Sequence, residues 1–203
     1  MNGKYTIWLF VSAIMIVPVA SFSVVKWCED SFQRLPVIER AEKNIGNFSL
    51  LSQFGEPVTN DAMKNKIVVA DFFFTHCLAI CPKMTKSLSV VQKAVNSDAA
   101  VLITSFSIDP ERDSVARLKD YASHFNVTGQ WFLLTGEKKT IYRLARNSFM
   151  VTATDGDGGA NDFIHSEKLV LVDKSGQLRG FYDGTSETAV RQLIRDIRKL
   201  KAE

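Results

Sequence analysis

Two cysteines, Cys77 and Cys81, stand three residues apart in the run THCLAICP at 75–82. Two thiols on one short stretch can close on a common point, either as a chelate for a soft metal ion or as a disulfide. Pro82 suits the first turn of a helix, where its missing N–H costs nothing. The pair therefore stands at an expected helix N-terminus. The positive partial charge of that terminus, with Lys83 and Lys86 close by, favours thiolate over thiol. Two thiolates under-fill a tetrahedral site but suit linear or trigonal copper(I). A third ligand would be histidine, and the chain has three. His76 adjoins Cys77, with its side chain expected to point away, and His124 ends an expected helix. His165 follows the Asp- and Gly-rich stretch 154–162, which can carry a side chain across to the thiols. Spacing alone leaves His165 open between ligand and structural histidine.

Other candidate chemistries fit less well. Asp155 and Asp157 match positions 1 and 3 of a calcium loop, but Gly159 falls at position 5 and no Glu stands at 12. No Gly-rich phosphate loop or nucleophile elbow is present. Asp109 before Pro110 suits a turn, and Asp113 or Ser114 suits a helix N-cap, so both aspartates read as structural. Three cysteines cannot build a disulfide scaffold, and Cys28 lacks metal-ligand spacing. The net charge is +3, from 25 Lys+Arg and 22 Asp+Glu, with no basic block, which argues against a nucleic-acid partner. Composition is 46% hydrophobic and 23% charged, a globular balance that excludes disorder and low-complexity arrays.

The elements that must position the thiols follow from periodicity. Residues 66–74 (KIVVADFFF) form an apolar, β-branched and aromatic run, as in a strand buried on both faces. A helix is expected at 82–97, a second buried strand at 99–108, a helix at 114–125, a short strand at 130–134 and a helix at 137–146. Strands at 168–173 and 178–182 have so short a link that they must form a hairpin. A helix at 185–201 closes the chain, and a small hairpin is expected at 48–51 and 55–58. The order βαβαβα then ββα predicts an α/β fold in three layers, a mostly parallel central sheet with an added antiparallel hairpin. In such sheets the functional crevice lies outside the carboxyl ends of the strands, where Cys77 and Cys81 fall.

The N-terminus carries a different signal. Residues 5–25 contain no charge, and a helix of that length crosses a hydrocarbon core of roughly 30 Å. Trp8 and Trp27 stand near its two ends, where indoles favour the interface. The run exceeds a usual signal-peptide core, and neither an Ala-x-Ala site nor small residues before Cys28 follow it. The expected organisation is a short cytoplasmic end at 1–4, a transmembrane anchor at 5–25, a tether at 26–46 and one domain at 47–203.

At this level of detail the chain resembles a known family. ADFFFTHCLAICPKM is similar to the FTHCPxxCP signature of the Sco/SenC copper chaperones. Ser107 to Asp113 (SIDPERD) looks like that family's S-x-DP-x-RD segment, Gly129 to Gly136 like its G-x-W…LTG, and His165-Ser166 with Asp173 to Gly176 like its HS…D-x-x-G. Leu78 and Ala79 depart from the family's usual Pro and Asp, leaving both thiols and Pro82 in place. The resemblance implies a thioredoxin-like fold, copper ligation by Cys77, Cys81 and His165, and delivery to the binuclear copper site in subunit II of cytochrome c oxidase. It implies a chain anchored singly in the bacterial inner membrane with its domain in the periplasm. The alternatives are a thiol–disulfide oxidoreductase that uses the same pair to keep the oxidase cysteines reduced, and a thioredoxin-like peroxidase. Intact-mass measurement of membrane-extracted protein is expected to give the full chain; a mature form beginning near residues 21–28 would show that the apolar segment is cleaved.

Overall fold

The structure, a computed structural model, describes residues 8, 14–26, 34–39, 45–95, 98–151 and 166–203. The chain divides into two units, Met1–Leu35 and Pro36–Glu203. In the first, residues 14–26 are helical and exposed throughout. Among the described residues no helix is long and apolar enough to cross a membrane. The remainder of the expected 5–25 span, Trp8 apart, lies outside the described residues, as does Cys28.

In the second unit, β1 (Ser49–Ser52) and β2 (Pro57–Thr59) form a hairpin, followed by a 3-10 turn at Asn60–Met63. Next, β3 (Ile67–Phe73), α1 (Ile80–Val95), β4 (Val101–Ser107), α2 (Val115–His124) and β5 (Trp131–Thr135) alternate. Helix α3 (Lys138–Arg143) runs into a π-helical turn (Leu144–Ser148), and β6 (Lys168–Val172), β7 (Leu178–Asp183) and α4 (Glu187–Ala202) follow. The strand order is β2-β1-β5-β4-β3-β6-β7.

Among the described residues, only β3–β4 and β4–β5 pair in parallel. The β1–β2, β1–β5, β3–β6 and β6–β7 pairs are antiparallel. The sheet is therefore mixed, which corrects the mostly parallel sheet expected from the alternation. Alternation reveals the crossovers that make strands parallel; it does not reveal where hairpins attach. Here one hairpin joins each open edge of the parallel trio, satisfying backbone groups that a bare edge would leave unpaired.

The central strands are buried along their whole length, as their composition requires. Val68, Ala70 and Phe72 pack in one core with Ile141, Leu144 and Phe149 from α3 and the turn after it. Residues of the other parity in β3 face the remaining helices. On that side Phe73 meets Tyr121 of α2 with ring centroids 5.2 Å apart. Helix α1 buries Met84, Leu88 and Val91, and α4 buries Val190, Leu193 and Ile197 at helical spacing. The two helices pack against each other. Beyond the expected domain start, Ile38 N–H donates to the Leu178 carbonyl at 2.8 Å, adding a bridge at the β7 edge.

Helix α1 begins at Ile80, two residues before the expected start, so Cys81 lies within its first turn. Leu88 is fully buried at the middle of this helix. Leu88→Ala is expected to lower unfolding stability by about 2–5 kcal/mol, read as a reduced urea midpoint at unchanged slope.

Candidate functional site

The parallel pairing of β3 with β4 brings the carboxyl ends of both strands to one edge of the sheet. Ile108 N–H donates to the Phe73 carbonyl at 2.9 Å, prolonging that pairing past the last strand residue. The chain then turns, with Cys77 N–H donating to the Phe74 carbonyl at 3.3 Å. One turn later Cys81 N–H, an amide that has no partner within the helix, donates to Cys77 Sγ at 3.4 Å. Both cysteines are free thiols, Cys77 half-buried and Cys81 buried.

The two thiols have opposite acidities. Burial pushes Cys77 up, but hydrogen bonds from the Cys81, Ala79 and Ile80 amides and from the Cys81 side chain outweigh it, and the thiol ends below its ordinary value. Burial pushes Cys81 up to about 12; the Phe74 backbone offsets part of this, and Cys77 and Asp71 add to it. The expected activation of both thiols thus holds for Cys77 alone. Cys81 departs from it because desolvation of a buried anion outweighs the benefit of a helix start.

A buried carboxyl group fixes the loop. Asp113 is fully buried and accepts from Thr75 N–H at 3.1 Å, Thr75 Oγ1 at 2.5 Å and Ser107 Oγ at 2.6 Å. Thr75 Oγ1 in turn accepts from Arg117 Nε at 3.2 Å. The end of β4, the start of α2 and the approach to Cys77 are thereby tied to one side chain. The N-cap of α2 is Ser114, which accepts from Arg117 N–H at 3.3 Å. Asp113, for which a capping role was open, is freed for the loop. Asp109 meets Arg112 Nε at 2.6 Å, a local turn contact as expected.

Behind the thiols lies a second polar layer. Asp71 is buried in the middle of β3, with Oδ1 lacking a hydrogen-bond partner among the described residues. Ser105 Oγ accepts from Trp131 Nε1 at 2.9 Å, which leaves its own hydrogen for Asp71. Burial raises the Asp71 carboxyl from its ordinary 3.8 to about 7, against the lowering effect of Ser105. Thr85 Oγ1 donates to the Cys81 carbonyl at 2.8 Å, so Tyr121 is the donor in the 2.8 Å contact between the two hydroxyls. Burial, only partly offset by Thr85, raises the Tyr121 phenol.

Of the sequence candidates, Cys77 and Cys81 are brought together. His165 lies outside the described residues. His76 is directed to Thr75 Oγ1 at 3.3 Å and lies 3.8 Å from Asp113, and His124 sits edge-on to Phe125 with centroids 4.9 Å apart. Among the described residues no cluster of three His, Cys, Asp or Glu side chains is arranged to hold a metal. The two thiols are nevertheless a soft donor pair at one point, which fits a soft ion such as copper(I). Asp71, Thr75, Thr85 and Tyr121 were not singled out from sequence. Asp71 alone carried a signal, being an acid inside an otherwise apolar buried strand.

A thioredoxin-like domain with its dithiol at the turn between β3 and α1 is the class that this fold and site define. Residues 38–202 match the SCO1/SenC family, and the chain belongs to it. It is 32% identical over 154 residues to the SCO1 protein homolog of Bacillus subtilis, covering 74% of this chain and 79% of that protein. It superimposes on BsSco, a member of the Sco family of cytochrome c oxidase assembly proteins in which a disulfide switch was identified. The TM-score is 0.67 at 29% identity, covering 81% of this chain and 96% of the other. Copper-bound ScoI of Bradyrhizobium japonicum gives a TM-score of 0.60 at 29% identity, covering 75% of this chain and 98% of the other.

The raised Asp71 makes a pH prediction. The folded state holds this proton more tightly than the unfolded chain, so folding loses stability as pH rises from about 4 to 7 and loses no more above. Asp71→Asn cannot ionise. Relative to the wild type, the reduced metal-free variant is expected to gain stability across that interval and to keep the gain at pH 8, measured by denaturant titration at each pH.

Proposed function

We propose that this chain is a membrane-anchored copper chaperone that holds copper through Cys77, Cys81 and His165. It passes the ion to the binuclear copper site of cytochrome c oxidase subunit II by ligand exchange. The observation that carries this is the approach of two thiols at one helix start, with Cys81 N–H 3.4 Å from Cys77 Sγ. Two sulfur donors select a soft cation over calcium, magnesium or manganese. A copper-bound relative of the same fold supports copper as the ion. The oxidase-assembly role of another supports the acceptor. Copper here is cargo: the half-buried Cys77 is the ligand an incoming acceptor meets first, and the buried Cys81 is the one released last.

The anchor is residues 5–25, with a single pass through the bacterial inner membrane and the domain in the periplasm. The exposed Ile14, Ile16, Val17, Val19, Phe22 and Val24 on the helical stretch 14–26 suit contact with lipid.

The unequal acidities favour a second activity of the same pair. As a thiol–disulfide oxidoreductase, the Cys77 thiolate attacks a disulfide sulfur of the partner and expels one partner thiolate. Cys81, losing its proton, then attacks Cys77 Sγ and releases the other. The pair ends as a disulfide, and the partner gains two electrons and two protons.

Cys77→Ala and Cys81→Ala are each expected to abolish tight copper(I) binding, while Cys28→Ala leaves it unchanged. His165→Ala is expected to weaken copper(II) binding much more than copper(I) binding and to leave disulfide exchange largely intact, because copper(II) prefers tetragonal nitrogen-containing sites. Titrations with both oxidation states beside a thiol-exchange assay decide this. Unchanged copper(II) affinity in His165→Ala would remove His165 from the site.

A further inference from the structure

The first two residues between the thiols, Leu78 and Ala79, do not fold back onto the protein. Leu78 is 96% exposed, the most exposed large apolar side chain of the described residues, and Ala79 beside it is exposed as well. An isolated surface leucine is ordinary. This one adjoins Cys77, the more accessible and more acidic thiol, on a loop whose ends are held by Asp113 through Thr75 and by the first turn of α1. An acceptor sulfur that takes a metal from Cys77 comes to bonding distance, roughly 2.3 Å from the ion. Adjacent Cα atoms are only about 3.8 Å apart, so an acceptor protein that reaches Cys77 also covers Leu78.

The surface leading away from this tip is charged with one sign. Helix α1 (ICPKMTKSLSVVQKAV) contains no acidic residue. Lys83, Lys86 and Lys93 are exposed along one stripe of it at spacings of three and seven, with Val90 between them 52% exposed. Lys86 and Lys93 also border a cleft of about 260 Å³ shared with His124 and Asn126 of the α2 end. Arg117 adds a cation at the loop itself through its bond to Thr75.

On the copper-delivery function proposed above, we propose that Leu78 is the docking residue for the acceptor protein. It enters an apolar recess beside the acceptor's own metal-binding thiols, and an acidic surface of the acceptor lies along the Lys83–Lys86–Lys93 stripe of α1. The apolar tip sets the distance between donor and acceptor sulfurs, and the stripe steers encounter, making the on-rate salt-dependent.

The test uses the full-length chain in detergent, loaded with copper(I), and two acceptors: the soluble copper-binding domain of cytochrome c oxidase subunit II, and dithiothreitol as a dithiol without a surface. Leu78→Asp is expected to keep copper(I) affinity and the rate of transfer to dithiothreitol. It is expected to slow transfer to the protein acceptor by roughly tenfold or more, since burial of a leucine is lost and a charge is placed in the recess. Leu78→Met is expected to restore the rate. Lys83→Glu with Lys86→Glu is expected to slow transfer at low salt and to flatten its salt dependence. A wild-type rate to the protein acceptor in Leu78→Asp would overturn the docking role. So would equal slowing toward both acceptors, which would make Leu78 a residue that shapes the loop. If the wild-type chain takes up no copper, the delivery function falls by itself. Docking is then decided by the rate at which Cys77 attacks the acceptor domain in its disulfide form, where the Leu78→Asp deficit upholds it and parity overturns it.

Discussion

Asp113 is the constraint on which the site depends. Three hydrogen bonds of 2.5–3.1 Å converge on one carboxyl group, from Thr75 N–H, Thr75 Oγ1 and Ser107 Oγ. They join the chain leaving β3 to the last residue of β4 and to the start of α2. Because Asp113 is fully buried, no water can replace any of the three, and each bond is worth more than at the surface. With Thr75 fixed, the two residues that follow have little freedom, and Cys77 arrives where the first amides of α1 meet its sulfur. An orphaned helix terminus thus becomes a device for lowering one thiol's pKa.

The same folding event makes the partner thiol different. Cys81 is placed in the first turn of α1 and buried, so it is desolvated while Cys77 remains half-exposed. Asp71 below and Tyr121 beside it are groups whose charged forms burial disfavours, and Asp71 pushes the Cys81 thiol further up. A dithiol with one thiolate-prone and one proton-retaining member suits stepwise exchange. Under the proposed function the outer sulfur would be offered first and the inner one would hold until transfer is complete, a form that metal delivery and disulfide exchange share.

The local architecture also explains how the loop between the thiols tolerates unusual residues. Its position is set at its ends, by Asp113 through Thr75 and by the start of α1, rather than by its own side chains. Leu78 and Ala79 bury almost nothing within this chain, so their identity is released from folding and left to whatever the loop meets.

Much of this was legible in the sequence because it rests on local patterns. The apolar run Ile67–Phe73, the spacing of Met84, Leu88 and Val91, and the hairpin forced by five residues between β6 and β7 each encode an element within a few positions. The placement of Cys77 and Cys81 at a strand-to-helix turn follows from the same patterns. What the sequence could not decide were properties that arise only when distant segments meet. Edge attachment made the sheet mixed, since β1 and β6 choose partners far away in sequence, Leu51 with Thr135, 84 positions apart, and Ala70 with Val170, 100 positions apart, among them. Asp113 reads locally as a helix cap, and only packing against Thr75, 38 residues earlier, shows that it binds the loop. The unequal acidity of the two thiols depends on burial and on Asp71. Desolvation is a property of the assembled interior, and no spacing of residues along a chain contains it.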